Sequence, residues 1–406
     1  MAGMPRTKLE PPTDEELILE ELEDEDVCIS PCFLTDKQIE EKYDVGQARI
    51  VIQRNDFLVP NLLEMFQKKE ILDMSPSYQR RARWNDTKKS HLVESLLMNI
   101  PIPPIFLYEK DYAQYEVMDG QQRLSAIRAF FKNEFKLRNL RVWPELNGRD
   151  FRDLPPKIRR GLERRGLAAV IILTESSKDP KAAMQIRHYV FERLNTGGER
   201  LNPQEIRNCL YASSFNNMLI QVSRDKLFTS AWAIPPKESG EPHQVSRKLA
   251  KNSFYAKMAD CELALRYFAL SDLAKFRGGM KRTLDDCMIR NQGISAESNE
   301  AKRIEYLSVL KLATTVYQGG LFKLLKNGSL SGRKSVPLAD AVLIAFRQHL
   351  DSQDKVLAAA SKIVKMTQNA LGDTKSYALL VGKGNTKKAI DDRLKLMRDL
   401  VATAIQ

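Results

Sequence analysis

The first third of the chain alternates short apolar runs with amphipathic stretches. ARIVIQ (48–53) has the apolar, β-branched character of a strand, LVPNLLEMFQKKE (58–70) is helical after Pro60, and ILDMS (71–75) is a short extended piece. SPSYQRRARW (75–84) opens on Ser-Pro-Ser and predicts a loop. NDTKKSHLVESLLMN (85–99) spaces its apolar residues for a helix, with Asn85 or Asp86 as the cap. IPIPPIFLYE and AQYEVMD (100–109 and 113–119) predict two strands around a polar turn. DGQQRLSAIRAFFKN (119–133) then predicts a helix with Asp119 and Gln122 in a capping box. Residues 46–133 therefore predict a mixed α/β layer, which LAAVIIL (167–173) extends with one more buried strand.

PKAAMQIRHYVFERLN (180–195) is an amphipathic helix that stops at Thr196-Gly197-Gly198, and Asn202-Pro203-Gln204-Glu205 starts the next one. IPPKESGEPH (234–243) is the clearest linker. Beyond it, apolar positions recur at helical spacing to the C-terminus, with no strand alternation. The expected fold class is α+β: an acidic, flexible tail over 1–45, a mixed α/β domain over 46–230, and an α-helical domain over 244–406.

Charge changes the picture. The formal net charge of +12 averages two unlike parts, because residues 1–50 hold 14 Asp+Glu and 5 Lys+Arg. That is a −9 segment on a +21 body. Such a body favours polyanions, and DNA is the expected partner. The acidic segment is a candidate to lie over a basic groove as a DNA mimic. No apolar run is long enough for a membrane span, and the N-terminus has no secretory signal, so a cytoplasmic protein is expected. Cys28, Cys32, Cys209, Cys261 and Cys287 form neither a disulfide framework nor paired zinc-ligand spacing, and they predict buried or ordinary reduced thiols.

The motifs narrow the chemistry. There is no phosphate-binding G-x-x-x-x-G-K-[ST], no G-x-S-x-G and no H-E-x-x-H; Gly382-Lys383-Gly384 lacks the hydroxyl and glycine spacing of the first. YEVMDGQQRLSAIRAF runs a strand through Asp119-Gly120 into a helix. A glycine at a helix N-terminus admits an anion close to the backbone, and Arg123, one turn in, has the fork for two phosphate oxygens. Asp119 either caps the helix, or holds a Mg²⁺ bridging phosphates, or orients a water. Tyr78-Gln79-Arg80-Arg81 and Asn195-Thr196-Gly197-Gly198-Glu199 are each weak signals. With the Asp119 turn in one domain, they suggest a convergent polyanion site.

Taken in order, SPSYQRRARW, SLLMNIPIPPIFLYE, YEVMDGQQRLSAI and FERLNTGGERLNPQEI closely resemble the N-terminal domain family of GmrSD-type modification-dependent restriction enzymes, between about residues 46 and 215. The resemblance implies a ParB/sulfiredoxin-like fold, in which a strand-Gly-x-x-Arg-helix element binds nucleotide phosphates. It also implies nucleotide hydrolysis coupled to surveillance of foreign DNA, with an NTP and Mg²⁺ as cofactors. Carried over by position, Asp119 and Arg123 would be catalytic and Asp119 the metal ligand. Tyr78, Gln79, Arg80, Gly120, Gln121, Gln122, Asn195, Gly197 and Gly198 would bind the nucleotide. The family's restriction enzymes append an HNH nuclease with a His-x-x-Pro motif, and none of the four histidines here is followed by Pro at the third place. A separate nuclease partner is therefore expected. The alternative is a non-enzymatic DNA-binding protein, or a sensor of modified DNA that recruits a nuclease. A nuclease built on an unrecognised carboxylate set stands third.

Overall fold

The structure is a computed structural model that describes residues 13–22, 35–47, 50–68, 70–74, 84–173, 190, 193, 202–241, 245–382 and 384–406. The chain divides into two compact units, Met1–Ile29 with Pro203–Gln406, and Ser30–Asn202. The boundary falls at Asn202/Pro203, before the stretch 234–243 read as a linker. The segment expected to be a flexible tail holds two helices among its described residues, α1 (Asp14–Leu22) and α2 (Asp36–Gln47). Only α2 belongs with the mixed unit.

In that mixed unit, β1 (Ile52–Leu58) leads into α3 (Val59–Met65), β2 (Leu72–Asp73) and α4 (Asp86–Leu97). The hairpin strands β3 (Ile105–Asp111) and β4 (Gln114–Asp119) follow, then α5 (Gln121–Phe131), α6 (Pro156–Glu163) and β5 (Gly166–Ile172). The sheet order is β1-β5-β3-β4-β2. The β1/β5 and β3/β4 pairs are antiparallel, whereas β3/β5 and β2/β4 are parallel. Asn85 caps α4 by accepting from the Lys88 amide at 2.9 Å, as one of the two sequence candidates predicted. Alternation places Ile105, Leu107, Leu167, Ala169 and Ile171 on one sheet face, where they meet Leu92, Leu96, Leu124, Ile127 and Phe130 of α4 and α5 in the core. Phe131 and Phe151 stack at 4.3 Å between centroids and close one end of that core.

The other unit is helical, in agreement with the expected second half. It runs α7 (Pro203–Leu210), α8 (Ser214–Ser223), α9 (Lys226–Trp232), α10 (Arg247–Lys251), α11 (Ser253–Ala256), α12 (Ala259–Leu270), α13 (Met280–Arg290) and α14 (Ala296–Tyr317). After a hairpin come α15 (Val336–Arg347), α16 (Gln353–Ala358), α17 (Ala360–Gly372), α18 (Thr374–Val381) and α19 (Lys387–Ile405). Every residue of α12 is buried, so its charged members must be paired. Glu262 takes Arg207 at 2.8 Å, Arg207 also reaches Asp285 at 2.7 Å, and Arg266 holds Asp340 at 2.6 Å.

Two local readings change. The run to Leu325 was read as helix, yet β6 (Lys323–Lys326) and β7 (Ser329–Lys334) form an antiparallel hairpin. Its turn residues Asn327 and Gly328 both have positive φ, +52° and +76°, the backbone that Asn-Gly turns require. The capping box at 119–122 is absent: Gly120, at φ +97°, occupies the cap position of α5 with no side-chain cap. Cys209, Cys261 and Cys287 are buried and form no disulfide, and burial pushes the Cys287 thiol up to about 11, so it is poorly reactive at neutral pH. Cys28 and Cys32 lie outside the described residues.

Candidate functional site

The site is assembled where β4 hands over to α5. In the hairpin, Asp119 pairs with Phe106, and a register shift between Phe106 and Leu107 re-aims the end of the strand. Gly120 then turns the chain with φ +97°, a conformation in which a side chain is strained. There is also no room for one, because a Cβ built there would stand 2.6 Å from Ile105 Cγ2. Glycine at this position therefore follows from the fold itself. Leu124 N donates to Gly120 O at 2.9 Å and starts the helix, so the first-turn amides lie at its positive end.

Arg123 is the central connector. Its Nη2 donates to Asp119 Oδ2, while Nη1 donates to the Pro103 carbonyl and to Pro104 O at 3.2 Å. The Arg123 side chain is 12% exposed and that of Asp119 is 40% exposed. Burial lowers the Arg123 guanidinium from its ordinary value, and the adjoining Asp119 carboxylate works against that shift, so the arginine stays charged. In this arrangement Arg123 ties the turn to the start of β3, and Asp119 is its carboxylate partner.

The two glutamines reach the other motif. Gln121 Nε2 donates to the Met74 carbonyl, and Gln122 Oε1 accepts from Trp84 N at 3.2 Å. Met74 and Trp84 are the described residues on either side of 75–83 in sequence. Tyr78, Gln79 and Arg80 lie outside the described residues, as do Asn195, Gly197 and Gly198. Asp119, Gly120, Gln121, Gln122 and Arg123 thus share one turn, which is tied to Met74 and Trp84.

A second surface feature lies in the Trp-containing, strongly basic stretch that begins at Lys136. Glu94, buried on α4, accepts from Val142 N at 2.8 Å, Trp143 N at 3.1 Å and Arg141 N at 3.3 Å. Burial raises its carboxyl, but these three amides outweigh that and hold it below its usual range. The clasp displays a loop with exposed Lys136, Arg138 and Arg141 beside Trp143, which is 40% exposed. A basic surface with an aromatic face suits nucleic acid. The available signal was a lone carboxylate inside the apolar face S-H-L-V-E-S-L-L.

Among the described residues no group of three or more His, Cys, Asp and Glu could hold a metal ion, so Asp119 offers a single carboxylate. No described helix is long and apolar enough to cross a membrane.

Residues 62–212 match the model of the GmrSD restriction endonuclease N-terminal domain. This segment is similar to the GmrSD-type N-terminal domain. The GmrSD-type match includes β3, β4, α5, the Glu94 clasp and all three sequence motifs, and it runs on into α7. No curated protein and no solved structure matches the chain significantly.

Proposed function

We propose that the chain is a nucleotide-binding and nucleotide-hydrolysing component of a restriction system that surveys DNA. The observation that supports this reading is the double tie from Gln121 and Gln122, at the N-terminus of α5 beside Asp119 and Arg123, to Met74 and Trp84. A phosphate arriving there meets the positive end of α5 and competes with Asp119 for the Arg123 fork. Release of Asp119 from Arg123 frees its carboxylate to orient water or to hold Mg²⁺. Bound Mg²⁺ would supply charge neutralisation between phosphate oxygens. Arg123 then stabilises the transferring phosphoryl group, and Tyr78, Gln79 and Arg80 are the further proposed nucleotide contacts.

The decisive assay is phosphate release from each of the four NTPs, with and without DNA. Asp119→Asn and Arg123→Ala are each expected to lower turnover ~10²–10³-fold, the usual loss when one charge-stabilising group is removed, with circular dichroism unchanged. Wild-type protein that hydrolyses no NTP under any condition, or variants that turn over normally, would defeat the reading.

A second reading is favoured by the Glu94-held loop and by the existing partners of Arg123: a DNA-binding protein that acts without hydrolysis and recruits a nuclease. It requires salt-steep DNA affinity, independent of nucleotide, that falls in Arg141→Ala and Trp143→Ala.

A further inference from the structure

The sheet of the mixed unit has a second face. Ile105, Leu107, Leu167, Ala169 and Ile171 belong to the core, so by strand alternation Phe106, Ala168 and Val170 belong to the opposite face. A cavity of about 660 Å³ lies there, lined by Arg54 and Asp56 of β1, Ala168 and Val170 of β5, and Pro104 and Phe106 around the start of β3. Its size and its mainly apolar lining with a few polar groups are those of a small-molecule site. Arg54 and Asp56 are exposed, and among the described residues no ion pair or side-chain hydrogen bond occupies either one.

Two of the lining residues also belong to the candidate site. Arg123 Nη1 donates to Pro104 O at 3.2 Å, and Phe106 is the cross-strand partner of Asp119. The register continues from there, because Phe106 pairs with Val170 and Val170 with Arg54. One row therefore crosses β4, β3, β5 and β1 in the order of the sheet, with Asp119 at one end and Arg54 at the other. Neighbouring strands lie about 4.8 Å apart, so Val170 stands roughly 10 Å and Arg54 roughly 14 Å from Asp119 along the row. A nucleoside triphosphate spans that range from its terminal phosphate to its sugar and base.

We infer that this cavity receives the sugar and base of a nucleotide whose phosphates sit at the N-terminus of α5, an assignment that rests on the nucleotide reading of that turn. Phe106, between the two halves, supplies an apolar ring against the sugar. Arg54 can only donate and ionised Asp56 can only accept, so together they match a base edge that carries both an acceptor and a donor. This pair sets which base is preferred, while phosphate recognition stays with Arg123.

The test titrates the full chain with ATP, GTP, CTP, UTP and inorganic tripolyphosphate, each with Mg²⁺, by calorimetry. Tripolyphosphate carries the phosphates without sugar or base and so separates the two halves of the site. Wild type is expected to bind its best NTP about tenfold or more tighter than tripolyphosphate, the equivalent of ~1.4 kcal/mol. Ala168→Trp puts an indole into the cavity from an exposed position on β5; it should erase that advantage and leave tripolyphosphate binding as in wild type. Arg54→Ala/Asp56→Ala, on two exposed residues of β1, should reduce the advantage and level the four NTPs, and it serves if Ala168→Trp does not fold. Tripolyphosphate binding with no gain for any NTP, or an NTP advantage that survives in a folded cavity variant, overturns the inference and leaves the phosphate site standing. Wild type that binds none of the five ligands removes the nucleotide reading together with the inference.

Discussion

Replacing Gly120 with alanine asks whether this glycine serves the backbone geometry before any ligand is bound. Two costs add. An L-residue at φ +97° carries roughly 1–2 kcal/mol of backbone strain. The new methyl would also stand 2.6 Å from Ile105 Cγ2 and 3.1 Å from Ile105 Cβ. Carbon contacts settle at about 3.5–4.0 Å, and Ile105 is a fully buried, β-branched side chain on the central strand β3, with little freedom to rotate away. Overpacking of this kind costs roughly 1–3 kcal/mol, for a total of ~2–5 kcal/mol. The assay is native-state hydrogen exchange on peptides from β3, β4 and α5, where that loss appears as protection reduced by about 30- to 3,000-fold. Gly148→Ala is the internal control: φ there is +83° and nothing lies within 4 Å of the added carbon, so only the backbone strain applies. A Gly120→Ala loss below about 1 kcal/mol, or one no larger than that of Gly148→Ala, would refute the packing argument.

Glu94→Gln should destabilise the mixed unit by about 1.5–3 kcal/mol at neutral pH, through weaker acceptance from the Arg141, Val142 and Trp143 amides, read by thermal denaturation. Because the folded-state carboxyl is held below its usual range, its stabilisation is fully present above the ordinary Glu value of about 4.3 and is lost as pH falls through the lower folded value. Wild type should therefore lose its advantage over Glu94→Gln on acidification, and a gap independent of pH would contradict the clasp. Arg207→Ala leaves Glu262 and Asp285 facing each other without their cation and should cost the helical unit ~3–5 kcal/mol in chemical denaturation, whereas a loss under about 1 kcal/mol would show that water replaces the arginine.

Much of the local structure was legible in the sequence. Apolar spacing predicted α4 and α5, the uniform run 167–173 predicted β5, and Asn85 announced the start of α4. The hairpin β6–β7 was missed although Asn327-Gly328 signalled it, because Leu321, Leu324 and Leu325 also continue the helical spacing of α14. At the site, Asp119 was read as a helix cap, a metal ligand or a group that orients water; no side chain caps α5, and in the folded chain Asp119 accepts from Arg123. Which of those partners a carboxylate takes depends on where β3 brings Pro103 and Pro104, and that is not a local property.

The same division holds for the whole protein. The sequence by itself determined the α+β class, the GmrSD-type resemblance and the acidic segment preceding a basic body, since periodicity, motif order and charge are local or additive properties. Only the tertiary structure showed that Gln121 and Gln122 reach 47 and 38 residues back to Met74 and Trp84. Only it joined Glu21 to Arg333 across 312 residues. Those pairings depend on how strands and helices pack, because a long side chain finds its partner only after the backbone has closed the distance. The −9 segment thus became, at α1, a packed helix whose Glu21 carboxylate pairs with Arg333 and accepts from the first amide of α15.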